Sequence, residues 1–291
     1  MRTAPLWDEE GRDWPNRRAS RFVRAAGLEW HVQLLGSGPK LLLIHGTGAA
    51  THSWRDLAPL LGKHFSVLAV DLPGHGFTEL PNDGQHSLPK MSAALAQLLS
   101  VLSFQPAYIV GHSAGAAIAL RLELDRSVSP SLIFSINGAL MPFPGIAAIA
   151  FPALARLLFL NRFAAPFLAR RMNDNDAIAR LIRSTGSSIC CRGVDLYGRL
   201  FRTERHMAAT VGMMANWDLL SLKRALRKVR TPLILIAADN DKTISPQVAK
   251  ATNAIVSGST IISVGGFGHL VHEEAPRTVA DIICKRAFAR C

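Results

Sequence analysis

The segment Val110-Gly111-His112-Ser113-Ala114-Gly115 constrains the fold more than any other part of the chain. The apolar run Ala107 to Val110 leads into it, and the small-residue run Ala114 to Leu120 leads out. A strand that ends on a serine and reverses at once into a helix forces that serine into a strained, exposed conformation. Glycines two residues to either side let strand and helix pack closely around it. The serine hydroxyl then stands above a sheet, and the Ala114 N–H points at the same space from the first helical turn. Over five residues, a small-residue connection with an incidental serine would read the same, so the rest of the chain must decide.

On both sides of this turn, buried-strand runs alternate with helical patterns. Phe22 to Arg24, a turn at Gly27 and Leu28 to Leu34 alternate as a half-buried edge hairpin. Lys40 to Ile44 and Phe65 to Asp71 are apolar runs of the kind buried on both faces of a parallel sheet, as is Ser131 to Ile136. Helices are expected from Ser53 to about Leu61, from Ser87 to Leu102 and from Ala114 to about Arg126. After Asn137-Gly138 the alternation stops, and residues 139–229 are apolar and basic with helical character. It resumes with the strands Thr231 to Ala238 and Thr260 to Val264, a helix near Pro246 to Ile255 and a last helix after Pro276. This pattern predicts an α/β fold with a mostly parallel, doubly wound sheet. The core is expected over 21–138 and 230–291, with a helical cap inserted at 139–229. Residues 1–20 form an arm whose Trp7 and Trp14 either cover the surface or belong to a partly ordered terminus.

Three chemically suited residues lie at strand ends in the order Ser113, an aspartate in 239–241, then His269. A serine hydroxyl is a poor nucleophile unless a histidine takes its proton, and that histidine needs a carboxylate to fix its tautomer. Loops at the carboxyl ends of parallel strands converge on one crevice, so distant residues can meet there. The turn His45-Gly46-Thr47-Gly48 lacks phosphate-loop spacing and suits a second oxyanion N–H, from Thr47, beside that of Ala114. His45 and His112 flank these turns and are expected in the substrate pocket with Phe143 and Phe151. Asp71 and His75 read as loop-ordering residues, and His272 as a weaker candidate base than His269. His269-x-x-His272 has too few companions for a metal, and no cofactor motif is present.

The net charge of +12 is unusual, but its basic residues are scattered without interleaved aromatics, so nucleic acid is not the expected partner. Four cysteines without a C-x-x-C pair imply reduced thiols. With no secretory h-region and prolines breaking the apolar stretch 139–160, the expected compartment is the cytoplasm or the periphery of the inner membrane.

From about residue 22 onward the chain resembles the α/β-hydrolases. His45-Gly46, Asp71-x-x-Gly74-x-Gly76, Gly111-x-Ser113-x-Gly115, Asp241 and Gly268-His269 match that family's landmarks and chain order. The resemblance implies Asp241 rather than Asp239 as the acid, because Asp241 to Pro246 fits the family's turn after the strand. A closer resemblance rests on Trp14-Pro15-x-Arg17, His45 to Arg55, Asp71 to Thr78, Gly111 to Ala117 and Asn137-Gly138-Ala139-Leu140-x-Pro142-Phe143. These look like the magnesium-chelatase accessory family of photosynthetic bacteria, whose genes are associated with bacteriochlorophyll biosynthesis. That likeness implies a pathway, with magnesium chelatase as a partner, and no particular reaction.

The expected function is therefore a serine hydrolase of an ester or related acyl bond, acting on a small apolar or tetrapyrrole-like substrate. A serine in place of an aspartate nucleophile disfavours dehalogenase and epoxide-hydrolase chemistry. The alternative is a non-catalytic module that binds a porphyrin or assists the chelatase. Its cap would offer Phe143, Phe151, Phe159, Phe163 and Phe167, with Arg156, Arg162, Arg170 and Arg171 for carboxylates. A peripheral membrane contact through that apolar, basic cap is the third option.

Overall fold

The computed structural model describes residues 3–81, 86–142, 164–171 and 174–289. Eight strands form one sheet: β1 (Ser20–Ala25), β2 (Leu28–Leu35), β3 (Lys40–Ile44), β4 (Ser66–Val70), β5 (Tyr108–His112), β6 (Leu132–Ile136), β7 (Leu233–Ala238) and β8 (Ser259–Val264). Their spatial order is β1-β2-β4-β3-β5-β6-β7-β8, antiparallel from β1 to β4 and parallel from β4 to β8. The hairpin β1–β2 closes through Ala26 and Gly27, both at positive φ, the geometry that follows the twist of the flanking strands.

The period of two along each central strand divides the core. Leu42 and Ile44 of β3 join one apolar cluster, while Leu41 and Leu43 join another on the opposite face. The first cluster is covered by α2 (Leu88–Val101) and α3 (Ala114–Leu124), the second by α1 (Leu57–Leu61) and α11 (Pro276–Phe288). Helices on both faces explain why β6 and β7 are buried at every position.

Between β6 and β7 the described elements are all helical: α4 (Ala164–Arg171), α5 (Asn175–Ser184), α6 (Cys191–Phe201), α7 (Glu204–Ala215) and α8 (Leu219–Ala225). Beyond β7, α9 (Gln247–Asn253) and the short α10 (Val271–Glu274) precede α11. The α10 turn escapes the sequence pattern because four residues carry no period.

The N-terminal arm is packed, not frayed. Trp14 is buried, and its indole N–H donates to Thr51 Oγ1 at 3.1 Å. Trp7 lies against Phe22, His31 and Phe77, with the Arg17 guanidinium over its ring. Arg199 on α6 holds the Asp13 carboxylate, and Arg192 donates to the Asp13 carbonyl. The arm thereby ties an inserted helix to the strands and loops of the sheet.

Candidate active site

Ser113 stands between β5 and α3 with φ 52° and ψ −117°, a backbone conformation that L residues rarely adopt. Its flanking glycines are required by contact. A Cβ on Gly111 would stand 2.5 Å from the Ala116 backbone, and one on Gly115 would stand 2.1 Å from the Ile44 carbonyl oxygen. Both obstacles are backbone, so neither can yield.

The turn after β3 approaches Ser113 equally closely, since a Cβ on Gly46 would lie 3.0 Å from Ser113 Cβ. This brings Thr47 and Ala114 to one wall. Among the described residues neither of their N–H groups donates to a backbone acceptor, which leaves two donors available beside the serine. Thr47 Oγ1 donates to Met213 Sδ at 3.4 Å, which ties the turn to α7.

Asp241 follows β7 and accepts the N–H of Thr243 and of Ile244 on Oδ1, both at 2.8 Å. Its Oδ2 accepts from His269 Nδ1 at 2.7 Å, and both side chains are nearly buried. Asp239, in contrast, is exposed and accepts only the Gly266 N–H on Oδ1 among the described residues. With Nδ1–H committed to the carboxylate, the other ring nitrogen of His269 is left to accept a proton. Ser113 and His269 line the same cavity, and no hydrogen bond joins them among the described residues. Such bonds are often long in unliganded sites and tighten with substrate.

Several groups that hold this geometry are not legible as a motif. Asn137, at φ 45°, donates through Nδ2 to the carbonyls of Gly268 and His269 and accepts the Ala238 N–H on Oδ1. The His112 ring donates from Nε2 to the His269 carbonyl at 2.9 Å, and desolvation, then the neighbouring His272 and His269 rings, hold its pKa well below the ordinary value. From the inserted segment, the Thr185 carbonyl accepts from both Lys242 N–H and His269 N–H, and Ser187 Oγ accepts the Leu270 N–H. A Cβ on Gly268 would collide with Gly186 at 2.2 Å, so the loops that carry Asp241 and His269 both close on this turn. Beneath them, Glu273 accepts from Arg55 and, at 2.7 Å, from the Tyr197 hydroxyl. Burial pushes the Glu273 carboxyl up in spite of Arg55, and pushes the Tyr197 hydroxyl up as well. The signals for Asn137 are its place in a segment that carries the family resemblance and its position before Gly138 at a strand end, where asparagine tolerates left-handed backbone.

Two expectations need correction or setting aside. His45 does not face the cavity: it is fully buried, its Nδ1 donates to the Gly46 carbonyl and its Nε2 accepts the Leu72 N–H. Burial holds it neutral, and it fixes the turn that carries Thr47. His112 does reach the cavity wall, while Phe143 and Phe151, with Phe159, Phe163, Arg156 and Arg162, lie outside the described residues. His272 is fully buried against the His112 ring, 4.2 Å between centroids, and does not line the cavity.

The cavity has a volume of about 810 Å³ and its wall is mainly apolar. α5 to α8 supply much of it, including Ile178, Ile182, Tyr197, Phe201 and Met207, and no lysine or arginine is among the described lining residues. No group of three or more His, Cys, Asp or Glu among the described residues could hold a metal ion.

The order of elements, the strained serine and the carboxylate–histidine pair are those of one fold family, and a model of the alpha/beta hydrolase family matches residues 41–282. The chain belongs to the α/β-hydrolase family. It is 37% identical to the magnesium-chelatase 30 kDa subunit of Rhodobacter capsulatus, over 93% of this chain and 95% of that one. It is also 34% identical to a 2-hydroxy-6-oxo-2,4-heptadienoate hydrolase of Pseudomonas putida, over 90% of this chain and 94% of that one. Among solved structures, an alpha/beta hydrolase fold protein from Burkholderia ambifaria superposes with a TM-score of 0.79 at 21% identity, covering 92% of this chain and 98% of that one. The epoxide hydrolase CorEH superposes with a TM-score of 0.75 at 22% identity, covering 93% of this chain and 98% of that one. At that identity these two structures speak to the fold alone.

Proposed function

We propose that the protein is a serine hydrolase that cleaves an ester or related acyl bond of a bulky apolar substrate, beside magnesium-tetrapyrrole metabolism. The observation that carries this reading is the Asp241–His269 hydrogen bond at 2.7 Å on the wall of the cavity that also exposes the strained Ser113. Ser113 Oγ attacks the acyl carbon while His269 Nε2 takes its proton, and Asp241 stabilises the imidazolium. The Thr47 and Ala114 N–H groups hold the oxyanion. His269 then returns the proton to the leaving group, and water releases the acyl chain by the same route in reverse. Residues 139–229 serve as the cap that walls the substrate, and the contacts of Thr185 with both catalytic loops support that role. The 37% identity to a magnesium-chelatase subunit supports the pathway and a chelatase partner.

A fluorophosphonate probe tests this directly. The folded wild-type protein is expected to be labelled on Ser113, and Ser113→Ala is expected not to be labelled. Absence of labelling, or equal labelling of both, sinks the proposal.

A second reading is favoured by one observation, the size and mainly apolar wall of the cavity, about 810 Å³. On that reading the chain binds a porphyrin without turnover. Titration with protoporphyrin would then give a saturable absorbance change in Ser113→Ala as in wild type, with no probe labelling in either.

A further inference from the structure

The net charge of the chain is concentrated in the stretch between β6 and β7. Residues 139–229 carry fourteen Lys and Arg against five Asp and Glu, so this stretch holds nine of the twelve net positive charges. Part of that charge is used internally: Arg199 by Asp13 and Asp195, Arg202 by Asn175, Arg205 by the Gly76 carbonyl and Arg192 by the Asp13 carbonyl. Of the other ten, Arg156 and Arg162 lie outside the described residues, Arg227 and Lys228 follow α8, and six lie on three helices. Arg170 and Arg171 end α4, Arg180 and Arg183 lie on α5, and Lys223 and Arg224 lie on α8. All six are exposed, and none has an ion-pair partner among the described residues.

The same three helices carry large apolar side chains in water. Phe167 of α4 is 56% exposed, Leu181 of α5 is 41% exposed and Leu220 of α8 is 58% exposed. Leu181 and Leu220 also line the cavity, as does Leu168 beside Phe167, so these side chains mark its mouth. Arg170 and Arg171 follow Phe167 by three and four residues, and Lys223 and Arg224 follow Leu220 by the same steps. In a helix those positions share one face. Phe167 and Leu220 are thus each bordered by cations on their own helix face, and Arg180 and Arg183 lie on the same helix as Leu181. Apolar side chains that insert below headgroups, bordered by basic ones that meet acidic headgroups, form the surface that binds an anionic bilayer. Asp218 at the start of α8 and Asp174 and Asp176 at the start of α5 oppose this, three carboxylates against six cations. An acidic protein would satisfy the cations, but it would not explain leucines exposed at the rim of an apolar cavity whose described lining holds no cation.

We propose that the cavity mouth docks on an anionic phospholipid bilayer through Phe167, Leu181 and Leu220 and the surrounding arginines and lysines, so that a lipid-dissolved neutral substrate enters without crossing water. This rests on the hydrolase reading for the nature of the substrate, but not for the surface itself.

The test is flotation of the full chain with phosphatidylcholine vesicles containing phosphatidylglycerol, and with vesicles of phosphatidylcholine alone. Wild type is expected to float with the anionic vesicles only, and high salt is expected to weaken the association several-fold. The variant Arg180→Glu/Arg183→Glu/Lys223→Glu/Arg224→Glu is expected to stay at the bottom, and Phe167→Ser to float several-fold less. Both should still take the soluble fluorophosphonate label, which reports that they are folded. Failure of wild type to float with anionic vesicles overturns the proposal and leaves the cationic face to an acidic protein. Equal flotation of the Glu variant overturns it as well. Labelling of Ser113 is read without vesicles, so loss of one result does not carry the other with it.

Discussion

Among the described residues two groupings of serine, histidine and aspartate share an Asp–His hydrogen bond, and of these only the Ser113 grouping lines the large cavity. In the first, Asp241 Oδ2 accepts from His269 Nδ1 at 2.7 Å, with Ser113 on the same cavity wall. In the second, Asp71 Oδ2 accepts from His31 Nδ1 at 2.7 Å, and His31 Nε2 lies 2.9 Å from Ser20 Oγ. By hydrogen bonding alone the second is the more complete. Ser20, however, has ordinary extended backbone, φ −70° and ψ 140°, whereas Ser113 is strained. Ser20 also receives a hydrogen bond from Gln33 Nε2, and His31 is fully buried under Trp7, Phe22 and Phe77. No helix begins after Ser20 to offer an N–H, and it does not line the cavity that Ser113 lines. Nucleophilic chemistry requires space for a carbonyl and donors for its oxyanion, and a chain of hydrogen bonds supplies neither.

The sealed line has a structural task. Asp71 accepts the N–H of Thr51 on Oδ1 and of Phe77 on Oδ2, so one carboxylate fixes both loops that border the Thr47 turn. Burial pushes against ionisation there, yet the His31 ring and its hydrogen bond win and hold the Asp71 carboxyl far below the usual range.

Substitutions can break this comparison at either end. The largest effect is expected at the open serine: Ser113→Ala should lower ester turnover by about 10⁴- to 10⁶-fold, while Ser20→Ala leaves turnover and probe labelling unchanged. Labelling retained by the first and lost by the second would invert the assignment. Asp241→Asn should lower turnover about 10⁴-fold with an unchanged unfolding midpoint, and Asp239→Asn should stay within a few-fold of wild type.

On the sealed side, Asp71→Ala should cost about 3–5 kcal/mol in urea unfolding, because it strands a buried histidine and two loop N–H groups. The pH dependence of that stability has a definite sign. The Asp71 pKa is lower in the folded chain, so its contribution is complete above the unfolded value of about 3.9 and is lost as pH falls below it toward the folded value. Wild type should therefore lose more stability between about pH 4 and pH 2 than Asp71→Asn does. Equal acid sensitivity would show that other carboxylates govern the transition.

A smaller effect is expected at Asn137, which braces the open line from behind. Asn137→Ala should cost about 1–3 kcal/mol of stability and slow probe labelling without abolishing it. Smallest is Ser20→Ala, about 1 kcal/mol by the same unfolding measurement, since it removes one partner of an otherwise packed histidine.

Much of the fold is legible in the sequence alone. The strands over Lys40–Ile44 and Leu233–Ala238, the hairpin at Gly27 and the turn at Ser113 follow from patterns one element long. Such patterns report local burial, and burial on both faces of a parallel strand leaves a continuous apolar run. The inserted helices were readable only as helical. Their loop at Thr185 to Ser187, which closes on both Asp241 and His269, has no period and no motif of its own.

The sequence by itself determined that a serine would be thrust out of a strand–helix turn, and that an aspartate and a histidine would follow it in order at later strand ends. Those outcomes depend on backbone sterics and on short spacings that any chain with these residues must obey. It did not determine which carboxylate would meet which histidine, that His45 would face into the protein, or that a second Ser-His-Asp line would be closed over by Trp7. Only tertiary packing decided those, because whether a polar side chain meets a partner, a cavity or a lid depends on segments tens of positions apart or more arriving at one place. The difference between Ser113 and Ser20 is of that kind: the same residue types, each beside an Asp–His hydrogen bond of 2.7 Å, separated by what the rest of the chain puts on top of them.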